Sequence, residues 1–145
     1  MSIVDVLKGV PLFAGLDDKA LEVLAGFAFP KTFETGELIV EEGRTANGLF
    51  IVVSGSVEVV KGLKTPAPRA IAKLGAGEPI GEMALLGEWP RTASVRALET
   101  TECVGIDRWI FLDHVERAPK LALRLLQILA LRLAETGERT GLIVP

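Results

Sequence analysis

The chain is poor in the residues that build metal centres, disulfides and nucleic-acid clefts. Its 145 residues include a single cysteine, Cys103, and a single histidine, His114. A lone cysteine forms no internal disulfide and fits a reducing compartment. Within Thr101-Glu102-Cys103-Val104-Gly105-Ile106 it reads as a small buried hydrophobe of a strand. A lone histidine excludes centres that need two or three imidazoles, and it leaves no serine or cysteine with a base at a plausible place. Basic residues are not in excess: 16 Lys and Arg stand against 19 Asp and Glu, for a net charge of −3 and a pI of 5.3. Polyanionic partners are disfavoured, since a nucleic-acid-binding domain usually carries a basic face or a pI above ~9. No apolar run reaches the ~18–20 residues that span a bilayer. The greasiest segment, Leu121 to Ala134, is broken by Arg124, Gln127 and Arg132. Met1–Lys8 lacks a basic segment followed by an unbroken apolar run, so no signal peptide is indicated. These absences predict a soluble, cytoplasmic chain.

What is present is a globular composition, 49% hydrophobic and 24% charged, long enough for one domain with its own core. Ser2–Lys8 reads as a short helix ended by Gly9-Val10-Pro11. Asp17 is placed as an N-cap, with Leu16 and Leu21 as a hydrophobic staple. Ala20, Leu21, Leu24, Phe27 and Ala28 then recur at helical spacing, and Pro30 is expected to stop that helix. From residue 29 the period changes. Phe29–Phe33, Leu38–Glu41, Leu49–Ser54, Ser56–Val60, Ala70–Leu74, Ser94–Ala97 and Glu102–Asp107 read as short strands separated by glycine-bearing turns, as in an antiparallel sandwich or jelly-roll β-barrel. Gly62–Pro68 is expected to be an exposed, mobile hairpin loop. After Asp107, a plausible N-cap, Trp109, Leu112 and Val115 mark one helix. Pro119 opens another that is expected to run to about Glu135, with Gly137 and Gly141 closing it and a frayed tail beyond. The expected layout is one domain, 1–145: N-terminal helices over 1–28, a mainly β roll over 29–107 and C-terminal helices over 108–137.

Two features point to function. The last helix carries Leu121, Leu123, Leu125, Leu126, Ile128, Leu129, Leu131 and Leu133 around most of its circumference, whereas a surface helix of a monomer buries one face. A second copy of the chain is the simplest cover for the other face, giving a homodimer through Leu121–Ala134. The alternative is burial within a single chain. The second feature is Gly81-Glu82-Met83-Ala84-Leu85-Leu86-Gly87-Glu88-Trp89-Pro90-Arg91-Thr92-Ala93-Ser94-Val95, where glycine, an acid, small residues and an arginine come together. A carboxylate suits a ribose diol. A guanidinium fork with accessible backbone amides suits a phosphate. Arg96 reads as a solvated strand residue. Arg124 and Arg132 read as exposed or intersubunit groups, with a lid over a ligand as the alternative.

Four blocks together resemble the cyclic nucleotide-binding domain family, which includes bacterial catabolite activators, regulatory subunits of cyclic-nucleotide-dependent kinases and gates of some ion channels. They are Val10-Pro11-Leu12-Phe13-Ala14-Gly15-Leu16, Phe33 to Gly43, Gly48 to Val59, and Gly81 to Leu86 followed by Pro90 to Ala97. The last is similar to the family's phosphate-binding cassette. The resemblance implies a double-stranded β-helix with flanking helices and assigns ligand positions to Ile80, Gly81, Glu82, Met83, Ala84, Arg91, Thr92 and Ala93. Glu82 would take the ribose 2′-hydroxyl, with Gly81 letting the backbone approach. The Ala84 and Thr92 amides would meet the cyclic phosphate, and Arg91 would neutralise it. Ile80 would pack the sugar or base, although Pro79-Ile80 stands where the family often has an aromatic pair. The ligand would be cAMP or cGMP, which the Thr92 hydroxyl does not distinguish. No cofactor, metal or membrane contact is expected, nor direct nucleic-acid contact, since the chain reaches Pro145 without a helix-turn-helix; it is expected to be a free-standing sensor or an excised domain. The implied protein is a non-enzymatic sensor acting on an effector protein by repositioning its C-terminal helices, by population shift. The rival is a ligand-free module of the same fold used for protein interaction or dimerisation. A metal-dependent cupin shares the jelly roll but needs histidines in the barrel, and His114 sits on a helix.

Overall fold

The computed structural model describes residues 2–45, 47–87 and 90–140, apart from the side chains of Met83, Arg132, Thr136 and 138–140. The expected frayed tail, Glu88 and Trp89 of the cassette, and the Arg132 side chain lie outside these. Helix α1 (Ile3–Lys8) opens on a capping box in which Ser2 and Asp5 satisfy each other's backbone N–H groups. A 3₁₀ turn, Pro11–Phe13, follows. Helix α2 (Asp18–Ala25) starts at Asp17, whose carboxylate accepts the Ala20 N–H at 2.9 Å. Pro30 does not end this helix. The exit tightens to i→i+3 bonds, Phe27 N–H to Leu24 and Ala28 N–H to Ala25, and Phe27 instead sets its ring edge-on to His114 at 5.2 Å.

Eight strands follow: β1 (Phe29–Phe33), β2 (Leu38–Val40), β3 (Gly48–Ser54), β4 (Val57–Lys61), β5 (Arg69–Leu74), β6 (Pro79–Ile80), β7 (Ser94–Ala97) and β8 (Thr101–Asp107). They form two four-stranded antiparallel sheets, ordered β1-β8-β3-β6 and β2-β7-β4-β5. The expected barrel is thus a mainly β roll of two facing sheets. Among the described residues no ladder joins the sheets, so the roll is not closed. Pro30 sits inside β1, the outer strand of its sheet, where a missing N–H costs no ladder bond. Strand β6 went unforeseen because two residues are too short to show a period. The loop 62–68 is exposed from Lys64 onward and is tied down by the Gly62 N–H to Glu42 at 3.0 Å and by a Lys64–Glu41 ion pair.

Side chains of β3 alternate between two cores, because a strand sends successive residues to opposite faces. Leu49 and Ile51 join Leu7, Leu12, Phe13 and Phe111 in the layer beneath the helices. Val52 and Phe50 join Phe33, Ile39, Ile80 and Val95 inside the roll. Both faces are covered, so Leu49–Val53 reads as a continuous apolar run.

Helix α3 (Arg108–Arg117) is capped by Asp107, which accepts the Ile110 N–H at 3.1 Å. Of the expected stripe, Leu112 and Val115 pack against the core beneath the helices, and Trp109 alone departs from it. Arg108 and Phe111 are buried, whereas Trp109 is exposed and lies against the Arg108 guanidinium at 4.6 Å. Helix α4 (Pro119–Thr140) starts at Pro119 as expected but runs straight through Gly137. An interior glycine costs about 1 kcal/mol relative to alanine, too little to break a helix of this length. Leu121, Leu125 and Ile128 are buried, and Leu123, Leu126, Leu131 and Leu133 are exposed. At about 100° per residue Leu123, Leu126 and Leu133 point away from the buried set and Leu131 lies on the flank. No described helix is long and apolar enough to cross a membrane.

Candidate functional site

The cassette begins where Gly81 leaves β6 at φ +72°. This left-handed conformation favours glycine. The chain then tightens into a 3₁₀ turn, Glu82–Leu85, closed by the Ala84 N–H to the Gly81 carbonyl at 2.9 Å. Ala84 and Leu85 are buried, so this turn is anchored by its apolar side.

Arg91 is fixed at both ends. Its backbone pairs with the turn after β2, Arg91 N–H to the Arg44 carbonyl and Gly43 N–H to the Arg91 carbonyl, each at 2.9 Å. Its Nη2 donates to the Gly48 carbonyl at 2.8 Å. The guanidinium lies directly on Gly81: a Cβ there would stand 1.4 Å from Nη1. The glycine therefore serves the arginine as well as the turn.

Beside Arg91 lies a cavity of about 430 Å³, walled by Phe29, Leu38, Val40, Phe50 and Ile106 and rimmed by Glu41, Arg44, Thr45, Asn47 and Asp107. That volume is within the ~300–1,000 Å³ range of small-molecule sites. The acids on its rim are already engaged. Glu41 pairs with Arg44 at 2.9 Å and with Lys64, which hold its carboxyl below its ordinary value, the Lys64 hydrogen bond most of all. Asp107 caps α3. Arg91 is half-buried and has no carboxylate partner among the described residues. Loss of water lowers its pKa, the expected direction for a cation taken from solvent without a counter-charge. This arrangement can accept a monoanion.

The other positions expected at the ligand are placed differently. Ile80 is buried in the roll interior opposite Phe50. Glu82 does not line the cavity: the residue is 9% exposed and its carboxylate accepts the Leu12 N–H at 3.0 Å. The Ala84 amide is spent on Gly81. Thr92 is exposed, with its carbonyl taken by Lys61 Nζ at 2.8 Å, and Ala93 is half-buried. Among the described residues Arg91 alone of these positions lines the cavity. Arg96 pairs across the sheet with Glu58 at 2.9 Å. Arg124 Nε donates to the Gly15 carbonyl at 3.1 Å. Sequence reasoning missed Gly48 and Leu12, because each contributes a backbone group. The signal available at Gly48 was the glycine itself: a Cβ there would stand 2.3 Å from the Ile106 carbonyl oxygen.

A second hollow, between α2 and the α3–α4 junction, is lined by Val23, Ala20, His114, Ala118 and Leu121 among others. The lysines at its rim are exposed, so it offers no counterpart to Arg91. Among the described residues no group of three or more His, Cys, Asp or Glu could hold a metal ion.

The family model for the cyclic nucleotide-binding domain matches residues 30–118. The "Cyclic AMP receptor protein" of Thermus thermophilus is 35% identical over 137 residues, which are 94% of this chain and 63% of that protein. The N-terminal domain of a transcriptional regulator from Streptomyces coelicolor superposes with a TM-score of 0.84 at 29% identity, covering 97% of this chain and 96% of that one. The regulatory domain of Toxoplasma gondii PKA, crystallised with cAMP, gives 0.71 at 28% identity, covering 77% of this chain and 42% of that one. This chain thus spans less than two thirds of the Thermus protein's length. The Streptomyces and Toxoplasma relatives are regulatory by name. The match over residues 30–118 contains the roll but for its first residue, and the whole cassette, and the chain belongs to the cyclic nucleotide-binding domain family.

Proposed function

We propose that this chain is a non-catalytic sensor that binds a cyclic mononucleotide, cAMP or cGMP, and relays the binding event to its C-terminal helices. The observation that carries the proposal is Arg91, a half-buried guanidinium with no acid among the described residues, at a cavity of about 430 Å³. A cyclic phosphodiester is a monoanion, so one guanidinium balances it, and a charge-assisted contact in a partly desolvated site is strong and directional. The cassette amides and the Glu82 carboxylate gather around the same ligand, phosphate and ribose respectively. The names of the relatives put cAMP first. The protein works in the cytoplasm without a further cofactor, metal or direct nucleic-acid contact, and hands its signal to an effector protein.

Dimerisation is part of the proposal. Leu123, Leu126 and Leu133 on the outer face of α4 and Leu131 on its flank are each more than half exposed, and a second α4 is the simplest cover. Ligand binding then alters what this face presents.

The decisive measurement is calorimetry of both nucleotides against the wild type and Arg91→Ala. Wild type is expected to bind one of them at micromolar or tighter affinity, and the variant at least about tenfold more weakly. Equal affinity in both would place the phosphate elsewhere. Parallel incubation is expected to leave the nucleotide unhydrolysed. A second reading, a ligand-free interaction module, is favoured by the engagement of Glu82 and the Ala84 amide within the chain. It predicts a flat titration with both nucleotides.

A further inference from the structure

The carboxylate proposed for the ribose is held by the N-terminal segment. Glu82 and Leu12 lie 70 residues apart, and their hydrogen bond is buried. Leu12 belongs to the 3₁₀ turn Pro11–Phe13, whose Leu12 and Phe13 side chains are buried. Just beyond that turn, Gly15 offers its carbonyl to Arg124 Nε at 3.1 Å. Arg124 lies in the second turn of α4. Gly15 has φ +91°, and a Cβ there would stand 2.5 Å from Arg124 Nη2. The glycine is therefore a seat for that guanidinium, as Gly81 is for Arg91. One short segment, Pro11–Gly15, is thus gripped from one end by the cassette and from the other by α4.

From this juxtaposition, and resting on the nucleotide reading above, we infer that Pro11–Gly15 is a latch that couples the ligand site to α4 through the exchange of Glu82 between Leu12 and the ribose. Glu82 does not line the cavity beside Arg91, so its side chain must swing away from Leu12 to meet a ligand there. The Leu12 N–H then loses a buried acceptor, which burial penalises unless the turn shifts. A shift of the turn moves the Gly15 carbonyl, and Arg124 either follows with α4 or lets go. The latch has two discrete arrangements, and ligand and α4 each favour one of them. Coupling is reciprocal, so loosening the α4 end favours ligand.

Amide exchange read at Leu12 and over 119–130 tests this with and without nucleotide. In the nucleotide-free protein, Arg124→Ala, a change at an exposed residue, is expected to speed exchange at Leu12. Glu82→Ala is expected to speed exchange at the start of α4. Unchanged exchange at Leu12 in Arg124→Ala overturns the latch, whether or not the Glu82 variant folds. With saturating cAMP, wild type is expected to lose protection at Leu12 and change over 119–130 together. Arg124→Ala should lose it at Leu12 while 119–130 stays constant, and should bind cAMP about two- to fivefold more tightly. A wild-type change in α4 with Leu12 still protected also overturns it. Absence of heat with both nucleotides would overturn the nucleotide reading alone, because the nucleotide-free comparison judges the turn-to-helix coupling by itself.

Discussion

Two arginines flank the second half of the cassette and are used in opposite ways. Arg108 at the start of α3 is 2% exposed, donates to the Gly87 carbonyl at 3.1 Å and lies against the Trp109 ring. Arg91 is only half-buried, rests on a glycine and a neutral carbonyl, and faces a cavity. Both carry the same charge. Arg108 is engaged within the fold, and Arg91 retains the capacity to meet an anion from outside. A buried cation that organises its surroundings is a stability element. On the proposed reading, a half-buried one held in place without a counter-charge among the described residues is a binding element.

That contrast breaks if the two respond alike to truncation. Arg108→Ala removes a large buried group and strips an acceptor of its donor, so an unfolding loss of about 3 kcal/mol is expected, read as a lowered urea midpoint without ligand. Arg91→Ala is expected to shift the same midpoint by less than about 1 kcal/mol, with its effect confined to nucleotide affinity. A large ligand-free destabilisation by Arg91→Ala would make both arginines structural.

Gly81→Ala sharpens the comparison from beneath. The left-handed φ costs an alanine about 1–2 kcal/mol, and its Cβ occupies the position of Arg91 Nη1. Stability and nucleotide affinity should therefore fall together, whereas Gly36→Ala, at φ +88° with open space around it, should lower stability alone. The paired variants separate the conformational term from displacement of the arginine.

A smaller effect is expected on α4. Leu126→Ser together with Leu133→Ser, on its exposed face, should leave the ligand-free unfolding midpoint of a monomer within about 1 kcal/mol, since neither side chain is buried. It should nonetheless shift the sedimentation profile from dimer to monomer. An unchanged profile would mean that this face is not the interface.

Much of the fold was legible because its signals are local. Asp17 and Asp107 stand at helix starts with partners three residues on, Pro119 opens a helix by its own ring, and the period of two in β7 needs no tertiary knowledge. Pro30 was misread because a proline has two permitted homes, beyond a helix or on a sheet edge, and only the strand order distinguishes them. Trp109 was misread because side-chain size suggests burial, yet it lies about 100° off the face that Arg108, Phe111, Leu112 and Val115 turn to the core. At the site, Arg91 and Gly81 stood out as an arginine and a glycine in one compact motif. The orientation of Glu82 did not, because its partner is a backbone N–H 70 residues away that no side-chain pattern reveals. The cavity walls Phe29 and Phe50 look like any other strand aromatics.

The smallest effect concerns another ionisable group, which is buried and, unlike the two arginines, neutral. Cys103 is 1% exposed inside the roll, and burial pushes its thiol from the ordinary 9.0 up to about 11. The folded-state pKa lies above the unfolded one, so the protonated thiol is favoured by folding. Its contribution is complete below about pH 9 and is lost as pH rises towards about 11. The thermal midpoint of wild type should therefore fall more steeply across that window than that of Cys103→Ala, which lacks the group, and the two should run parallel between about pH 6 and pH 8. Lysines titrating in the same range act equally on both proteins and cancel in the difference. If the curves stay parallel through pH 11, the thiol is not shielded. The roll interior beside Phe33 and Val52 would then be wetter than the packing around Arg108, and the division between a sealed interior and an open arginine site would have to be redrawn.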